Sequence, residues 1–245
     1  DGQGHTPDDV LSTPLPLFHV AAIHIVSNSA LHAGCTAHLK ERFSASTYWQ
    51  EIDEKRVYPE RFVDALTKAG WMSALIPEEF GGSGLSLTEA SVIMEEVTRS
   101  GGNAGCCHGQ MYNMNTLLRN GSPEQKKKYL PKIASGELRL QAMGVTEPTA
   151  GTDTTKIKTV AVRKGDRYVI NGQKVWTSQA HRSNWMFALV RTDINVKKQK
   201  GITYLLIDMK TPGITVRPII TLDGVHHTNE VFFDNVRVPV ANRIG

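Results

Sequence analysis

Residues 139–153, Arg-Leu-Gln-Ala-Met-Gly-Val-Thr-Glu-Pro-Thr-Ala-Gly-Thr-Asp, and residues 171–178, Asn-Gly-Gln-Lys-Val-Trp-Thr-Ser, lie just past the point, near residue 138, where the chain stops reading as helix and begins to read as strand. From Arg139 onward the pattern shortens into runs rich in Val, Ile, Thr and aromatics, separated by turn residues, as half-buried and buried strands require. Gly165-Asp166 and Asn171-Gly172 are expected turns. The second is a strong hairpin signal, because both central positions of such a turn need positive φ. Trp185–Val190 and Ile202–Ile207 are apolar on both faces, as in strands buried between layers, whereas Ile214 and Val216 alternate with Thr215 and Arg217, and Val236 and Val238 alternate around Arg237. Short strands without intervening helices predict a sandwich or barrel.

Before residue 138 the period is helical. Pro59 opens a segment in which Phe62, Ala65, Leu66 and Ala69 share a face, closed by Gly70. Ser86 with Glu89 is a capping-box signature ahead of Ala90, Ile93 and Val97, with Gly101 and Gly102 as the stop. A third helix is expected between Cys107 and Arg119, burying Met111, Met114, Leu117 and Leu118. Ser122, Pro123 and Gln125 open a fourth that buries Tyr129, Leu130 and Ile133 and ends at Gly136. The fold class is therefore α+β: an all-helical bundle over 49–138, then a mostly antiparallel β-barrel or sandwich over 139–245. Residues 1–48 are atypical and unassigned, with only Leu39–Phe43 reading as helix.

Composition bounds the function classes. The 245 residues are 40% hydrophobic and 21% charged with a formal net charge of +4, ordinary for a globular protein. The basic runs Lys126–Lys128 and Lys197, Lys198, Lys200 lack interleaved aromatics and read as solvated surface, which argues against nucleic acid as a partner. Adjacent Cys106 and Cys107, with Cys35, make a poor disulfide framework and favour a reducing compartment. Leu15–Leu31 is interrupted by His19, His24, Ser27 and Asn28 and is too short to span a membrane. Cys35-x-x-His38 with Cys106, Cys107 and His108 matches no zinc spacing, so no metal site is expected. Gly101-Gly102-Asn103-Ala104-Gly105 follows a helix rather than a strand and is rejected as a dinucleotide fingerprint. His226 and His227 are expected in a loop at the surface.

The run Met143–Thr152 offers backbone amides and the hydroxyls of Thr146 and Thr152 to a carbonyl-rich or anionic ligand rim. The plainer alternative is a polar turn capped by Glu147 and Asp153. Trp176, two residues before the Ser178 hydroxyl, can lie against a planar ring, though an indole at such a position is more often core. The two runs together suit the ring of a flavin.

Four motifs in order resemble the acyl-CoA dehydrogenase family: Ile-Pro-Glu-Glu-Phe-Gly-Gly-Ser-Gly-Leu-Ser at 76–86, Gly-Val-Thr-Glu-Pro-Thr-Ala-Gly-Thr-Asp at 144–153, Asn-Gly-Gln-Lys-Val-Trp-Thr-Ser at 171–178, and Asn-Glu-Val-Phe-Phe-Asp-Asn-Val-Arg-Val-Pro at 229–239. The resemblance runs from about Trp49 to Gly245. It implies FAD as cofactor, with Met143, Val145 and Thr146 lining the flavin ring, Thr146 bonding its pyrimidine edge, Trp176 against its face, and Thr177 and Ser178 completing its rim. Thr152 is implied to reach both the FAD pyrophosphate and the pantetheine of an acyl-CoA substrate. The family often has Ser at position 152 and Thr at 178; the hydroxyl is kept in both. The implied reaction is α,β-dehydrogenation of an acyl-CoA thioester with hydride transfer to flavin N5, as in fatty acid β-oxidation. Family enzymes carry the glutamate base in a C-terminal helical domain expected to be missing here, so no catalytic residue is assigned and the chain alone is expected to be inactive. Glu147 occupies a family motif position and is expected to be structural. The resemblance further implies electron-transfer flavoprotein as acceptor, homodimers or homotetramers, and a bacterial cytoplasm or mitochondrial matrix. Acyl-CoA oxidases and nitroalkane oxidases share the architecture, and a non-catalytic acyl-CoA or flavin-binding partner subunit is a third reading.

Overall fold

A computed structural model describes residues 10–13, 36–39, 60–99, 104–222 and 224–245. The chain divides into two compact units, Asp1–Ala74 with Leu85–His108, and Leu75–Gly84 with Gly109–Gly245.

In the first unit, β1 (Val10–Thr13) pairs in parallel with β2 (Thr36–Leu39). Leu39 thus belongs to a strand, and the rest of the helix expected over Leu39–Phe43 lies outside the described residues. Helix α1 (Glu60–Lys68) buries Phe62, Val63 and Leu66. It stops at Gly70, which turns the chain at φ 79°, a conformation glycine adopts without steric cost. Helix α2 (Leu87–Arg99) buries Ala90, Ile93 and Val97. At its start the Ser86 backbone N–H donates to Glu89 Oε2 (2.9 Å) and the Thr88 N–H to Ser86 Oγ (3.2 Å), which satisfies donors the first turn leaves open. The expected stop at Gly101–Gly102 lies outside the described residues. Cys107, on α3 (Gly105–Asn120), is buried with its Sγ 3.6 Å from Met72 Sδ.

In the second unit α3 buries Met111, Met114 and Leu117. Gln110 Oε1 accepts from Leu140 N (3.0 Å) and Asn113 Nδ2 donates to Leu140 O (2.9 Å), so both polar groups of Leu140 are satisfied where the chain enters the sheet. Helix α4 (Pro123–Ala134) opens with a complete capping box between Ser122 and Gln125 and buries Tyr129, Leu130 and Ile133. Gln125 Nε2 also donates to the carbonyls of Ala241 and Arg243 (2.7 Å each), and Tyr129 Oη donates to Asn242 Oδ1 (2.8 Å) while its ring meets Trp185 edge-on.

One eight-stranded, mostly antiparallel sheet follows, in the order β10-β7-β6-β4-β5-β9-β8 with β3 also on β6. The strands are β3 (Ala142–Gly144), β4 (Val160–Lys164), β5 (Arg167–Ser178), β6 (Trp185–Arg191), β7 (Ile202–Asp208), β8 (Ile214–Ile220), β9 (His226–Pro239) and β10 (Arg243–Ile244). β3 runs parallel to β6, and β4 meets β6 in parallel through Val160 and Arg191. The sheet does not close, since β10 and β8 stand at its two ends, and the arrangement is sandwich-like rather than a barrel. Its core gathers Ala142, Ile170, Met186, Ala188, Leu205, Ile207, Val231 and Phe233.

Gly165, at φ 62°, makes the expected turn between β4 and β5. Asn171-Gly172 does not turn the chain. It lies inside the continuous strand β5, where the pairing with β9 shifts register between Ile170 and Gly172. Gly172 sits at φ 149°, and a Cβ there would lie 2.6 Å from Thr159 Oγ1, so the glycine serves a bulge and a close approach of the neighbouring chain. Asn171 Oδ1 accepts from Asn235 N (2.9 Å), which ties the bulge to β9.

Candidate functional site

Residues 143–147 and 174–175 lie side by side. Met143 is on β3, which pairs with β6 at Phe187, and Tyr204 Oη lies 3.9 Å from Met143 Sδ. Val145 and Thr146 continue the chain past β3 toward β5: Val175 N donates to Thr146 O (2.9 Å), and Lys174 Nζ donates to Val145 O (3.2 Å). Beyond them Glu147 and Ala150 exchange both backbone hydrogen bonds (2.9 and 3.1 Å), closing a tight turn. Thr152 lies past that turn, exposed, its carbonyl accepting from Thr154 N.

Underneath is a buried ion pair. Lys174 has 0% and Glu147 4% of its side chain exposed, with Nζ 2.8 Å from Oε1. Glu147 Oε2 accepts from Lys158 N (2.6 Å) and Oε1 from Thr159 N (2.9 Å). Burial pushes the Glu147 carboxyl upward, but the hydrogen bonds from Lys174, Thr159 and Lys158 outweigh it and hold the group below the usual value for glutamate. Burial pushes the Lys174 ammonium downward, against the hydrogen bond and charge of Glu147, and the pair pins the 145–147 segment, the 158–159 segment and β5 to one point. Both carboxylate oxygens of Glu147 are thus engaged within the fold. Lys174 carried no signal of this in the sequence, because a lysine in a strand reads as a solvent-facing residue until its buried partner is known.

Immediately after Lys174, β5 breaks register with β9 a second time, between Lys174 and Thr177. Trp176 occupies this bulge at φ 59° with 58% of its surface exposed. Positive φ is uncommon for a bulky residue and is costly unless neighbouring structure enforces it. The indole is thus presented by a bulge within β5 and not by a strand leaving a hairpin. Thr177 is 1% exposed, and its Oγ1 has no hydrogen-bond partner among the described residues, while its carbonyl accepts from Asn229 Nδ2 (2.9 Å). Ser178 is exposed and pairs with Thr228 across β9. The outcome is an exposed indole, a buried hydroxyl lacking a partner and an exposed hydroxyl, beside the Val145–Thr146 segment. Such a set fits a planar ligand with a polar rim: an apolar face for the ring and donors beside it.

In a second cluster, His226, expected in a surface loop, meets His181, which carried no signal in the sequence. His226 begins β9 rather than lying in a loop, is half-buried, and stacks on His181 with ring centres 3.9 Å apart. Asn229 bridges the pair, with Oδ1 2.7 Å from His226 Nε2 and Nδ2 3.1 Å from His181 Nδ1. Burial, followed by the His226 and Arg182 charges, pushes His181 down to about 4. Among the described residues no group of three or more His, Cys, Asp or Glu could hold a metal ion, and no helix is long and apolar enough to cross a membrane. Cys35 and the Leu15–Leu31 run lie outside the described residues.

Comparison with known proteins agrees with this architecture. Residues 20–137 match the family described as acyl-CoA dehydrogenase, N-terminal domain, and residues 142–236 match acyl-CoA dehydrogenase, middle domain. Acyl-CoA dehydrogenase FadE29 of Mycobacterium tuberculosis is 43% identical over 182 residues, covering 74% of this chain and 45% of that protein. The mitochondrial isovaleryl-CoA dehydrogenase of Pongo abelii is 34% identical over 203 residues, 80% of this chain and 48% of that one. The ChsE4-ChsE5 complex from Mycobacterium tuberculosis superposes with a TM-score of 0.68 at 30% identity, covering 84% of this chain and 58% of the matched one. The chain spans about half the length of the curated relatives it matches. With both domain descriptions matched in order, and helices leading into the sheet they imply, the chain belongs to the acyl-CoA dehydrogenase family.

Proposed function

We propose that this chain is the flavin- and substrate-binding part of an FAD-dependent acyl-CoA dehydrogenase. The observation that carries the reading is Trp176, held exposed at φ 59° in a bulge beside the buried Thr177 hydroxyl that lacks a protein partner. Both features are costly in the protein alone and make sense with a ring laid against the indole and an acceptor or donor facing the hydroxyl. Met143, Val145 and Thr146 would line the ring, with the amide and hydroxyl of Thr146 at its polar edge. Thr177 and Ser178 would complete the rim, and the exposed Thr152 would reach a phosphate or the pantetheine arm of an acyl-CoA. When bound, FAD supplies the acceptor for the substrate's β-hydride. The chain's own residues orient the two reactants and shield one face of the ring. Removal of the α-proton needs a carboxylate base, and Glu147 cannot serve: its two oxygens are engaged by Lys174, Lys158 and Thr159. The base is assigned outside this chain.

Relatives act, by name, on isovaleryl-CoA and on cyclohex-1-ene-1-carbonyl-CoA, so the reading commits to an acyl-CoA thioester and to no narrower acyl group. Electron-transfer flavoprotein is the proposed acceptor and a dimer or tetramer the proposed assembly. Adding FAD to the purified protein should produce a bound-flavin absorbance band and quench Trp176 fluorescence; no bound flavin at saturating FAD would sink the reading. The similarity to a two-protein complex favours a second reading, as one partner of a mixed assembly. Acyl-CoA binding without reduction of an artificial electron acceptor, restored by a co-expressed second chain, would select it.

A further inference from the structure

Along the ring-binding edge, β5 carries one residue more than β9. Lys174 pairs with Val231 and Thr177 with Asn229, so Val175 and Trp176 together stand opposite Glu230. A bulge of this kind leaves its extra residue outside the ladder. Trp176 adopts φ 59° there, a conformation that a bulky side chain keeps only where the surrounding structure enforces it. Hydrogen bonds flank the indole on both sides. Before it, Val175 N donates to Thr146 O (2.9 Å). After it, the Thr177 carbonyl accepts from the side chain of Asn229 (2.9 Å).

Asn229 is wholly buried, and both ends of its amide are engaged. A carbonyl can only accept, so Thr177 fixes Nδ2 as the donor end and leaves Oδ1 as the acceptor. His226 Nε2, 2.7 Å from Oδ1, therefore carries a proton and donates it. Nδ2 also lies 3.1 Å from His181 Nδ1, and the His226 ring stacks on that of His181. The amide is held from behind in one orientation. Aspartate at this position would set a carboxylate oxygen against the Thr177 carbonyl, and leucine would leave a buried carbonyl and an imidazole N–H without partners.

We propose that Asn229, with His226 behind it, is a positioning residue of the ring-binding edge. By holding the Thr177 carbonyl it keeps Trp176 exposed in its bulge and keeps the Thr177 hydroxyl, which has no partner among the described residues, available to the ligand. The identity of that ligand rests on the flavin reading above. The action of Asn229 on it runs through the Thr177 backbone. Once the carbonyl is released, the peptide units beside Trp176 are free to turn, the backbone relaxes toward negative φ, and the indole and the hydroxyl leave their arrangement together.

Asn229→Leu and Asn229→Asp are compared with the wild type, first without flavin. The indole N–H resonance of Trp176, assigned by its loss in Trp176→Phe, should move in both variants, and that of Trp185 should not. With FAD, both should bind about tenfold more weakly, the equivalent of one lost hydrogen bond, and the absorption band of the bound flavin should shift. The loss should nearly vanish when Asn229→Leu is combined with Trp176→Ala and Thr177→Val, since these carry the effect; a merely structural residue would weaken both backgrounds equally. His226→Gln, whose amide nitrogen can replace Nε2 as donor, should keep the affinity, and His226→Phe, which stacks but cannot donate, should lose part of it. If neither Asn229 variant folds, the His226 pair decides by the same readouts. An unmoved Trp176 resonance, an unchanged FAD affinity, or an equal loss in both backgrounds would overturn the proposal. Wild-type protein that binds no FAD ends the flavin reading, and the Trp176 resonance then decides the positioning role alone.

Discussion

Lys174→Met tests whether the buried ion pair holds the two ligand-facing segments together. The lysine side chain is wholly buried, and its ammonium donates to Glu147 Oε1 and to the Val145 carbonyl. Methionine keeps most of the volume and removes the charge. Glu147 then stays ionised in the interior with only the N–H groups of Lys158 and Thr159 to stabilise it. Removing one partner of a buried pair costs about 3–5 kcal/mol, against a total stability of roughly 5–15 kcal/mol for a domain. For a unit of this size that lowers Tm by about 6–20 °C. Glu147→Gln should cost a similar amount by stranding the ammonium. The double variant should be less destabilised than the sum of the singles, with a coupling of about 0.5–3 kcal/mol, since neither charge is then left alone. The pH dependence carries a second signature. Because the folded-state carboxyl lies below its ordinary value, its contribution is present above pH 4.5 and is lost as pH falls through the lowered value. Lys174→Met should shrink or reverse that acid loss, because burial, the largest influence on the carboxyl, is then opposed only by the Lys158 and Thr159 N–H groups. Urea unfolding of the four proteins from pH 7 to pH 3 measures all of this. Single substitutions costing under about 1 kcal/mol, the range of exposed pairs, would refute the argument.

Four further outcomes are expected. Trp176→Ala should leave urea stability within about 0.5 kcal/mol, since the indole is mostly exposed, yet weaken FAD binding markedly; unaltered flavin affinity by fluorescence titration would count against the indole's role. Thr177→Val should be neutral or stabilising for the protein without ligand, because it removes a buried hydroxyl lacking a partner, and a stability loss in thermal unfolding would mean that the hydroxyl is satisfied within the fold. Gly172→Ala should destabilise by about 1–3 kcal/mol through the contact with Thr159 and the positive φ; circular dichroism melts showing no change would argue against the bulge. His181, lowered to about 4, binds its proton later in the folded than in the unfolded state as pH falls. Stability should therefore decline from about pH 6.5 toward pH 4, and His181→Gln should flatten that limb of a pH-resolved denaturation curve.

Local rules account for much of what the sequence made legible. The capping signals at Ser86 and Ser122 and the C-terminal glycine at 70 depend on neighbours within a few residues: the box at Ser122 is complete, Glu89 reaches back to the Ser86 N–H while Ser86 Oγ takes the Thr88 N–H, and Gly70 makes its turn. The alternation of Val236 and Val238 around Arg237 reports burial on one face directly. Asn171-Gly172 failed as a hairpin because the same positive-φ glycine that serves a two-residue turn also serves a bulge. Only the pairing of β5 with β9 along its length, and the nearness of Thr159, distinguish the two.

The sequence by itself determined the helix-to-strand order, the family, and the two runs that carry the candidate flavin contacts, because these are properties of contiguous residues. Tertiary structure alone decided that Trp176 stands exposed in a second bulge, that Lys174 reaches Glu147 beneath it, and that His181 and His226, from segments far apart along the chain, stack around Asn229. Charge pairing and hydrogen-bond balance are set by distances across the sheet, and no spacing along the chain encodes them.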